Sequence, residues 1–327
     1  MKKLLLLCGI LTVLACVIVT GGAVFLLHVA LDPNPAYQHY DEDAEYRHMA
    51  ERYPHISPWL DSIRSCGAVR DTFIANGEGR LHAYLLPARR DTAATALLIH
   101  GYKNCALGML HIAYMYHHDL GYNVVLPDMF AHGASDGDHI RMGWFDRLDV
   151  LRWAAIADST FGGRTRQVIH GISMGGATTM MVAGTSPAPE ASAGGTLPDY
   201  IRAFVDDCGY TSVWDEFEGE LKVRYGLPAF PVLYVASAFS KIKYGWSFGE
   251  ASALDQVSKC DRPMLFIHGD ADTFVPIWMV HPLYEAKPGE KTLWLAPGTA
   301  HAAAYADHQE EYTRQVKEFL LVPIAAN

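Results

Sequence analysis

The chain opens with one apolar block and then changes rhythm. Leu4 to Leu31 contains no Asp, Glu, Lys or Arg. A membrane-spanning helix needs roughly 20 apolar residues, whereas a cleaved signal core runs to about 7–15. The block therefore predicts an uncleaved anchor standing outside the fold. Cleavage or lipidation at "VLAC", ending at Cys16, is the alternative. The bulk of Leu14 and the apolar run beyond Cys16 weigh against it. Lys2 and Lys3 precede the block; Asp32, Asp41, Glu42 and Asp43 follow it. By the positive-inside rule the remainder of the chain lies on the extracytoplasmic side of the cell membrane.

From Asp32 to Ser65 the pattern is polar, aromatic and punctuated by proline, as in a linker with a helical lead-in. "VRDTFIA" and "RLHAYLLPA" then alternate around "NGEG", which predicts a β-hairpin. Short apolar runs follow, separated by helical patterns: "ATALLIHG", "YNVVLPD", "RQVIHGIS", "YIRAFVDDCG", "RPMLFIHGD" and "KTLWLAPG". A helical stretch from about His308 to Leu321 ends the chain. Strands alternating with helices predict an α/β fold, its mainly parallel sheet doubly wound and covered on both faces. Such sheets carry their sites at the carboxyl ends of the strands. Gly184 to Asp199 is rich in Pro, Gly, Ser and Ala and reads as a surface loop. About 211–260 breaks the alternation with aromatic, helix-like sequence, as expected of a small lid over the site. The predicted organisation is an anchor at 1–31, a lead-in at 32–65 and one domain at 66–327.

A formal net charge of −10 disfavours nucleic acid as a partner. The 16 histidines show no convincing metal-ligand spacing. Cys66, Cys105, Cys208 and Cys260 match neither a zinc site nor a disulfide scaffold, so free buried thiols are expected, with disulfides the alternative.

Chemistry concentrates in "HGISMGGA", His170 to Ala177. Gly171 and Gly175 flank Ser173 at a strand-to-helix junction, the form of a nucleophile elbow. Missing Cβ atoms permit the sharp turn. Met174 opens the following helix, so its backbone N–H is free to face an oxyanion. A serine hydroxyl needs a base and an orienting acid to attack a carbonyl. "FIHGDADTFVP" offers Asp270 and Asp272 at a strand end, and "APGTAHAAAY" offers His301.

Together "HGYKN", "GISMGG", "HGDADTFVP" and "GTAH" resemble the α/β-hydrolase superfamily, from about Asp71 to Leu321. The nearest likeness is to bacterial membrane-anchored serine-aminopeptidase-like and monoglyceride-lipase-like hydrolases. The resemblance implies Ser173, Asp272 and His301 as the triad, with Asp270 and His308 as runners-up. It also implies the backbone N–H of Tyr102 as a second oxyanion donor beside that of Met174. "LPDMFAHGASDG" matches the family's D-x-R-G-H-G-x-S-x-G segment at Asp128, His132, Gly133 and Ser135. Phe130 and Ala131 depart from it, which puts in doubt any ion pair of the missing arginine. "DDCGYTSV" reads as a solvated loop carrying Asp206 and Asp207, with a buried thiol at Cys208.

The resulting expectation is a serine hydrolase acting on small-molecule carboxylic esters, with no cofactor and no metal. An aminopeptidase is the rival within enzymes. It needs an anionic anchor for the substrate's amine, and Asp215, Glu216 and Glu218 are candidates, though a solvated face explains them better. A non-catalytic binding module is the rival of another class. Degenerate triads mark such proteins, and here every position is filled.

Overall fold

A computed structural model describes residues 1–33, 35, 38, 40–185 and 197–325. Of the loop expected from Gly184 to Asp199, residues 186–196 lie outside this set. Eight strands form one sheet: β1 (Arg70–Ala75), β2 (Arg80–Leu86), β3 (Ala94–Ile99), β4 (Asn123–Pro127), β5 (Arg166–Ile172), β6 (Ile201–Asp207), β7 (Met264–Gly269) and β8 (Lys291–Ala296). Their order is β1-β2-β4-β3-β5-β6-β7-β8. β1 and β2 form the expected hairpin, with Ala75 opposite Arg80. Its turn is set by the Asn76 side chain, which accepts from the N–H groups of Glu78 and Gly79. β2 also runs antiparallel to β4, and every later pairing is parallel.

The helices are α1 (Lys2–Leu31), α2 (Glu42–Arg52), α3 (Ser57–Ser65), α4 (Leu110–Tyr114), α5 (Asp146–Thr160), α6 (Met174–Ala183), α7 (Val213–Tyr225), α8 (Val232–Tyr244), α9 (Ala253–Val257), α10 (Val280–Ala286), α11 (Ala304–Asp307) and α12 (Gln309–Ala325). Side chains alternate across the strands, so each buried strand feeds two cores. Leu97, Ile169, Phe204 and Phe266 enter one core with α5, α6, α9 and α10. Leu98, Val168, Val205 and Leu265 enter the other with α4 and α12.

The stretch expected as linker and lead-in contributes to that second core. α2 and α3 bury Tyr46, Met49, Trp59, Leu60 and Ile63 in it. Trp59 donates its indole N–H to His117 Nδ1 at 3.0 Å. The other ring nitrogen, Nε2, then carries the proton and donates to the Pro87 carbonyl at 3.1 Å. Burial holds this imidazole below the usual histidine range, in keeping with its neutral form.

α1 is long and apolar enough to cross a membrane. It does not stand wholly outside the fold, as its composition suggests. Ala23, Leu27 and Leu31 recur every four residues on one helical face and are buried in the first core. Hydropathy alone does not distinguish a neighbouring helix from lipid.

The lid is narrower than the interruption in the pattern. Ser212 and Ser252 meet in an isolated antiparallel bridge that closes its base. Each also caps a helix, accepting from the N–H of Asp215 and Asp255 respectively, both at 3.0 Å. α7 and α8 therefore form the lid. α9 packs back on α6, so tightly that a Cβ at Gly184 would lie 2.2 Å from the Gln256 carbonyl oxygen.

Replacing Trp59 with alanine removes a buried aromatic and the donor to His117. A loss of about 3–5 kcal/mol in unfolding free energy is expected by denaturant titration. A loss below about 1 kcal/mol would mean that α3 contributes little to the second core.

Candidate active site

The loop between β5 and α6 is forced tight by what surrounds it. A Cβ at Gly171 would lie 2.0 Å from the Gly175 carbonyl oxygen, and one at Gly175 would lie 2.0 Å from that of Ile99. No side chain fits at either place. Ser173 adopts φ 59°, a left-handed backbone rare outside glycine. Its own N–H is tied to the Asp207 carbonyl at 2.8 Å.

The strand-end loops after β7 and β8 reach the same point. His301 Nε2 lies 2.8 Å from Ser173 Oγ. His301 Nδ1 lies 2.7 Å from Asp272 Oδ2. The other carboxylate oxygen of Asp272 accepts from the N–H groups of Phe274 and Val275, at 2.9 and 3.0 Å. Asp270 turns elsewhere and accepts from the Gly298 N–H, which shapes the loop leading to His301. His308 holds the Pro297 carbonyl in that same loop. The two runners-up thus shape the loop, and Asp272 is the acid that meets the imidazole.

Gly101 brings the turn after β3 against the serine. A Cβ there would lie 3.4 Å from that of Ser173. Tyr102 and Met174 line the cavity at Ser173. Two neutral histidines set this turn. His132 Nε2 accepts from the Lys103 N–H at 3.2 Å, so Nδ1 donates to the Phe130 carbonyl. His100 Nε2 accepts from the Met129 N–H at 3.0 Å, so Nδ1 donates to the Gly101 carbonyl. Burial keeps both imidazoles from charging and pushes His132 down to about 3. Where the family's segment has arginine, Phe130 lies under the Arg141 guanidinium, 3.3 Å from ring centre to Cζ. Arg141 pairs with Asp149 at 3.1 Å and Glu78 at 2.6 Å, so this loop draws its cation from further along the chain.

A model of the alpha/beta hydrolase family matches residues 96–315. The Bacillus subtilis (strain 168) protein YqkD, described as uncharacterized, is 30% identical over 233 residues, covering 71% of this chain and 73% of that one. The chain belongs to the α/β hydrolase family. Solved structures similar in fold include the Pyrococcus furiosus esterase Pf2001, with TM-score 0.60 and 22% identity over 80% of this chain and 96% of that one. Est1E from Butyrivibrio proteoclasticus, solved with ferulic acid, has TM-score 0.57 and 22% identity over 78% of this chain and 99% of that one.

In this hydrolase Ser173 lies between two cavities. One, of about 330 Å³, is mostly apolar and sits under the lid, lined in part by Phe217, Leu233, Phe248 and Phe274. Leu26, Leu27, Val29 and Ala30 of α1 also line it. Sequence reading missed them, because an anchor helix carries no sign of which face meets protein. The other cavity, of about 590 Å³, is more polar and is lined by Glu45, His48 and Arg52 of α2 together with His301.

The acidic residues near the lid are not one solvated face. Asp215 accepts from the hydroxyls of Thr211 and Ser212, and Glu218 is exposed. Glu216 is buried against the apolar cavity, and its Oε2 has no hydrogen-bond partner among the described residues. Burial, with help from Glu220 and Asp272, pushes its carboxyl up to about 8. Glu220 is paired with Arg224.

Asp206 and Asp207 also depart from the expected solvated loop. Both are buried at the end of β6, and burial raises them, Asp207 to about 6. Asp207 accepts from Tyr312, whose hydroxyl meets His170 at 2.9 Å. That network joins α12 to the sheet beneath the elbow. Cys208 is a buried free thiol, as expected, within 4.8 Å of the facing atoms of Asp272 and His301. Burial raises its ionisation well above the usual thiol range.

Folded Glu216 keeps its proton up to about pH 8, against an ordinary value of 4.5. Between these values the folded state holds more protons than the unfolded chain. This contribution to stability is complete below the ordinary value and is lost as pH rises through about 8. Glu216→Gln removes it. The melting temperature of the variant relative to the parent should therefore climb between about pH 5 and about pH 9. A flat difference would show that Glu216 is already ionised in the fold.

Proposed function

We propose that the protein is a serine hydrolase of carboxylic esters, anchored by α1 with its catalytic domain on the extracytoplasmic side. One observation carries the reading: the hydrogen-bonded series Asp272–His301–Ser173 at a strained strand-to-helix turn. Ser173 Oγ attacks the carbonyl carbon and passes its proton to His301 Nε2. Asp272 fixes the tautomer and stabilises the imidazolium. The N–H groups of Met174 and Tyr102 receive the oxyanion; Met174 is the first residue of α6, where helical donors are unpaired. Collapse breaks the ester bond, and His301 gives its proton to the departing alcohol. Water, deprotonated by His301, then attacks the acyl carbon; the bond to Ser173 Oγ breaks, His301 returns the proton to Oγ, and the acid leaves.

The cavities give the ester a direction. The leaving alcohol must face His301, which lines the polar cavity. The acyl group then lies under the lid, among Phe217, Phe248 and Phe274. An aminopeptidase would need a free anion there. Glu216 is neutral near pH 7 and Glu220 is already paired, which favours the ester. The esterase neighbours Pf2001 and Est1E agree with this reading. Lys2 and Lys3 at the start of α1, and the acids after it, support the orientation.

A fluorophosphonate probe should label the full-length protein, and Ser173→Ala should abolish labelling. Ser173→Ala and His301→Ala should each lower turnover by about 10⁴-fold or more, and Asp272→Asn by about 10⁴-fold. Asp270→Asn weakens only a loop hydrogen bond and should cost less than about tenfold. A parent chain that never labels favours the non-catalytic module, and greater damage from Asp270→Asn would move the acid. Phe217→Ala, which widens the acyl cavity, should shift relative kcat/KM toward longer acyl chains by about tenfold. An unchanged chain-length profile would place acyl selection elsewhere.

A further inference from the structure

Helix α1 divides into two parts. Residues 2–18 are exposed on every side, and regular burial begins only at Ala23. At 1.5 Å per residue, residues 2–21 span about 30 Å, the thickness of a bilayer's hydrocarbon core. The last ten residues are held by protein. Gly22 offers the first contact with the lid: a Cβ there would lie 3.8 Å from Val232. The final carbonyls of the helix are taken by the Tyr102 hydroxyl on Ala30 at 2.7 Å and the Ile140 N–H on Leu31 at 2.7 Å. Lys103 Nζ reaches the Val29 carbonyl at 3.2 Å.

α8 runs alongside α1 in the same direction. It starts beside Gly22 and ends at Tyr244, which stacks on His139, the neighbour of Ile140. The turn between α7 and α8 is thereby brought level with the point where α1 leaves the protein. That turn and its flanks expose Val223, Leu227, Phe230 and Tyr234, with Phe230 72% exposed. Lys222 stands exposed beside them. Apolar side chains with a neighbouring cation, level with the end of an apolar spanning stretch, fit the headgroup region of a membrane. Directly behind the turn, Leu26 and Val29 of α1 and Tyr225 of α7 line the cavity that contains Ser173.

We infer that the α7–α8 turn beds in the membrane surface beside α1, and that acyl esters carried in the bilayer reach Ser173 between this turn and α1. The inference rests on the reading of Ser173 as nucleophile and of α1 as anchor. It adds that the substrate is a membrane-resident amphiphile. Its acyl chain passes from lipid along α1 into the apolar cavity, and its polar portion faces the cavity of Glu45, His48 and Arg52.

The test uses the full-length protein in dioleoylphosphatidylcholine vesicles. Phe230→Trp adds an emitter at the turn. Its added emission over the parent should be quenched when the lipid acyl chains carry bromine. In parallel, Leu227→Ser combined with Phe230→Ser removes exposed side chains only. This variant should match the parent on dissolved 4-methylumbelliferyl butyrate and in fluorophosphonate labelling. On 4-methylumbelliferyl oleate held in the vesicles it should be about tenfold slower, the loss expected from withdrawing two apolar side chains from the interface. Normal labelling with an unquenched tryptophan overturns the inference, as does an equal loss on both esters. An unquenched tryptophan whose emission shifts with protein concentration assigns the patch to a second copy of the chain. Quenching in a parent that never labels strikes the nucleophile reading and delivery to Ser173, and leaves the docked turn standing.

Discussion

No side chain fits at Gly171 or Gly175, and the arrangement of the site follows from that. The two positions press against each other and against the end of β3, where a Cβ at Gly175 would collide with the Ile99 carbonyl. β5 can then pass into α6 only through a turn that leaves Ser173 at positive φ. The strain is held by neighbours on both sides. Asp207 fixes the serine N–H from β6, and Gly101 closes from β3. The loops after β7 and β8 then need only reach the strand end to bring Asp272 and His301 into line. The close packing of three strand ends brings these groups together, and this is why a parallel sheet supports the constellation at its carboxyl edge.

Around that edge, histidines do two different jobs. His100, His132 and His268 are buried, kept neutral by desolvation, and bonded to backbone atoms of the neighbouring loops. His100 and His132 each act as a fixed clamp with one donor and one acceptor engaged, while His268 uses one nitrogen, donating through Nε2 to the Val275 carbonyl. His301 alone among these lies between a carboxylate and a hydroxyl, and it is only partly buried. A count of histidines carries no trace of this difference. It depends on which atoms face each ring, and those are supplied by loops distant in the chain.

β3 to β8 were legible as short apolar runs and β1 and β2 as alternation around a turn, and all eight fall inside the segments those patterns indicated. The serine was legible because glycines at fixed spacing have few other reasons to surround it. The acid was less so. Asp270 and Asp272 are two residues apart at one strand end, and motif position alone separated them before geometry did. Glu216, Asp206 and Asp207 were read as solvated because isolated acids usually are. Their burial comes from packing that no local pattern encodes: Glu216 lies on the face of lid helix α7 that lines the cavity, and α12 with Tyr312 covers Asp207. The packing of the helical lead-in was not legible for the same reason. Tyr46, Trp59 and Ile63 look scattered in a proline-punctuated stretch, and become a packed face only when the second side of the sheet is present.

α1 shows most clearly what hydropathy leaves out. Its residues are apolar throughout, yet the first part is free of protein and the last part walls the cavity. The join between the helix and the site is made by Tyr102. Its hydroxyl holds the Ala30 carbonyl at the end of the helix, while its backbone belongs to the turn that Gly101 presses against Ser173. Lys103, next in that turn, is held through its N–H by His132 and itself holds Val29. One short loop thus ties the helix to the elbow. Two side-chain hydrogen bonds, from Tyr102 to Ala30 and from Lys103 to Val29, connect the last turn of α1 directly to the residues beside the serine. The apolar helix therefore has to be counted among the elements that build the site.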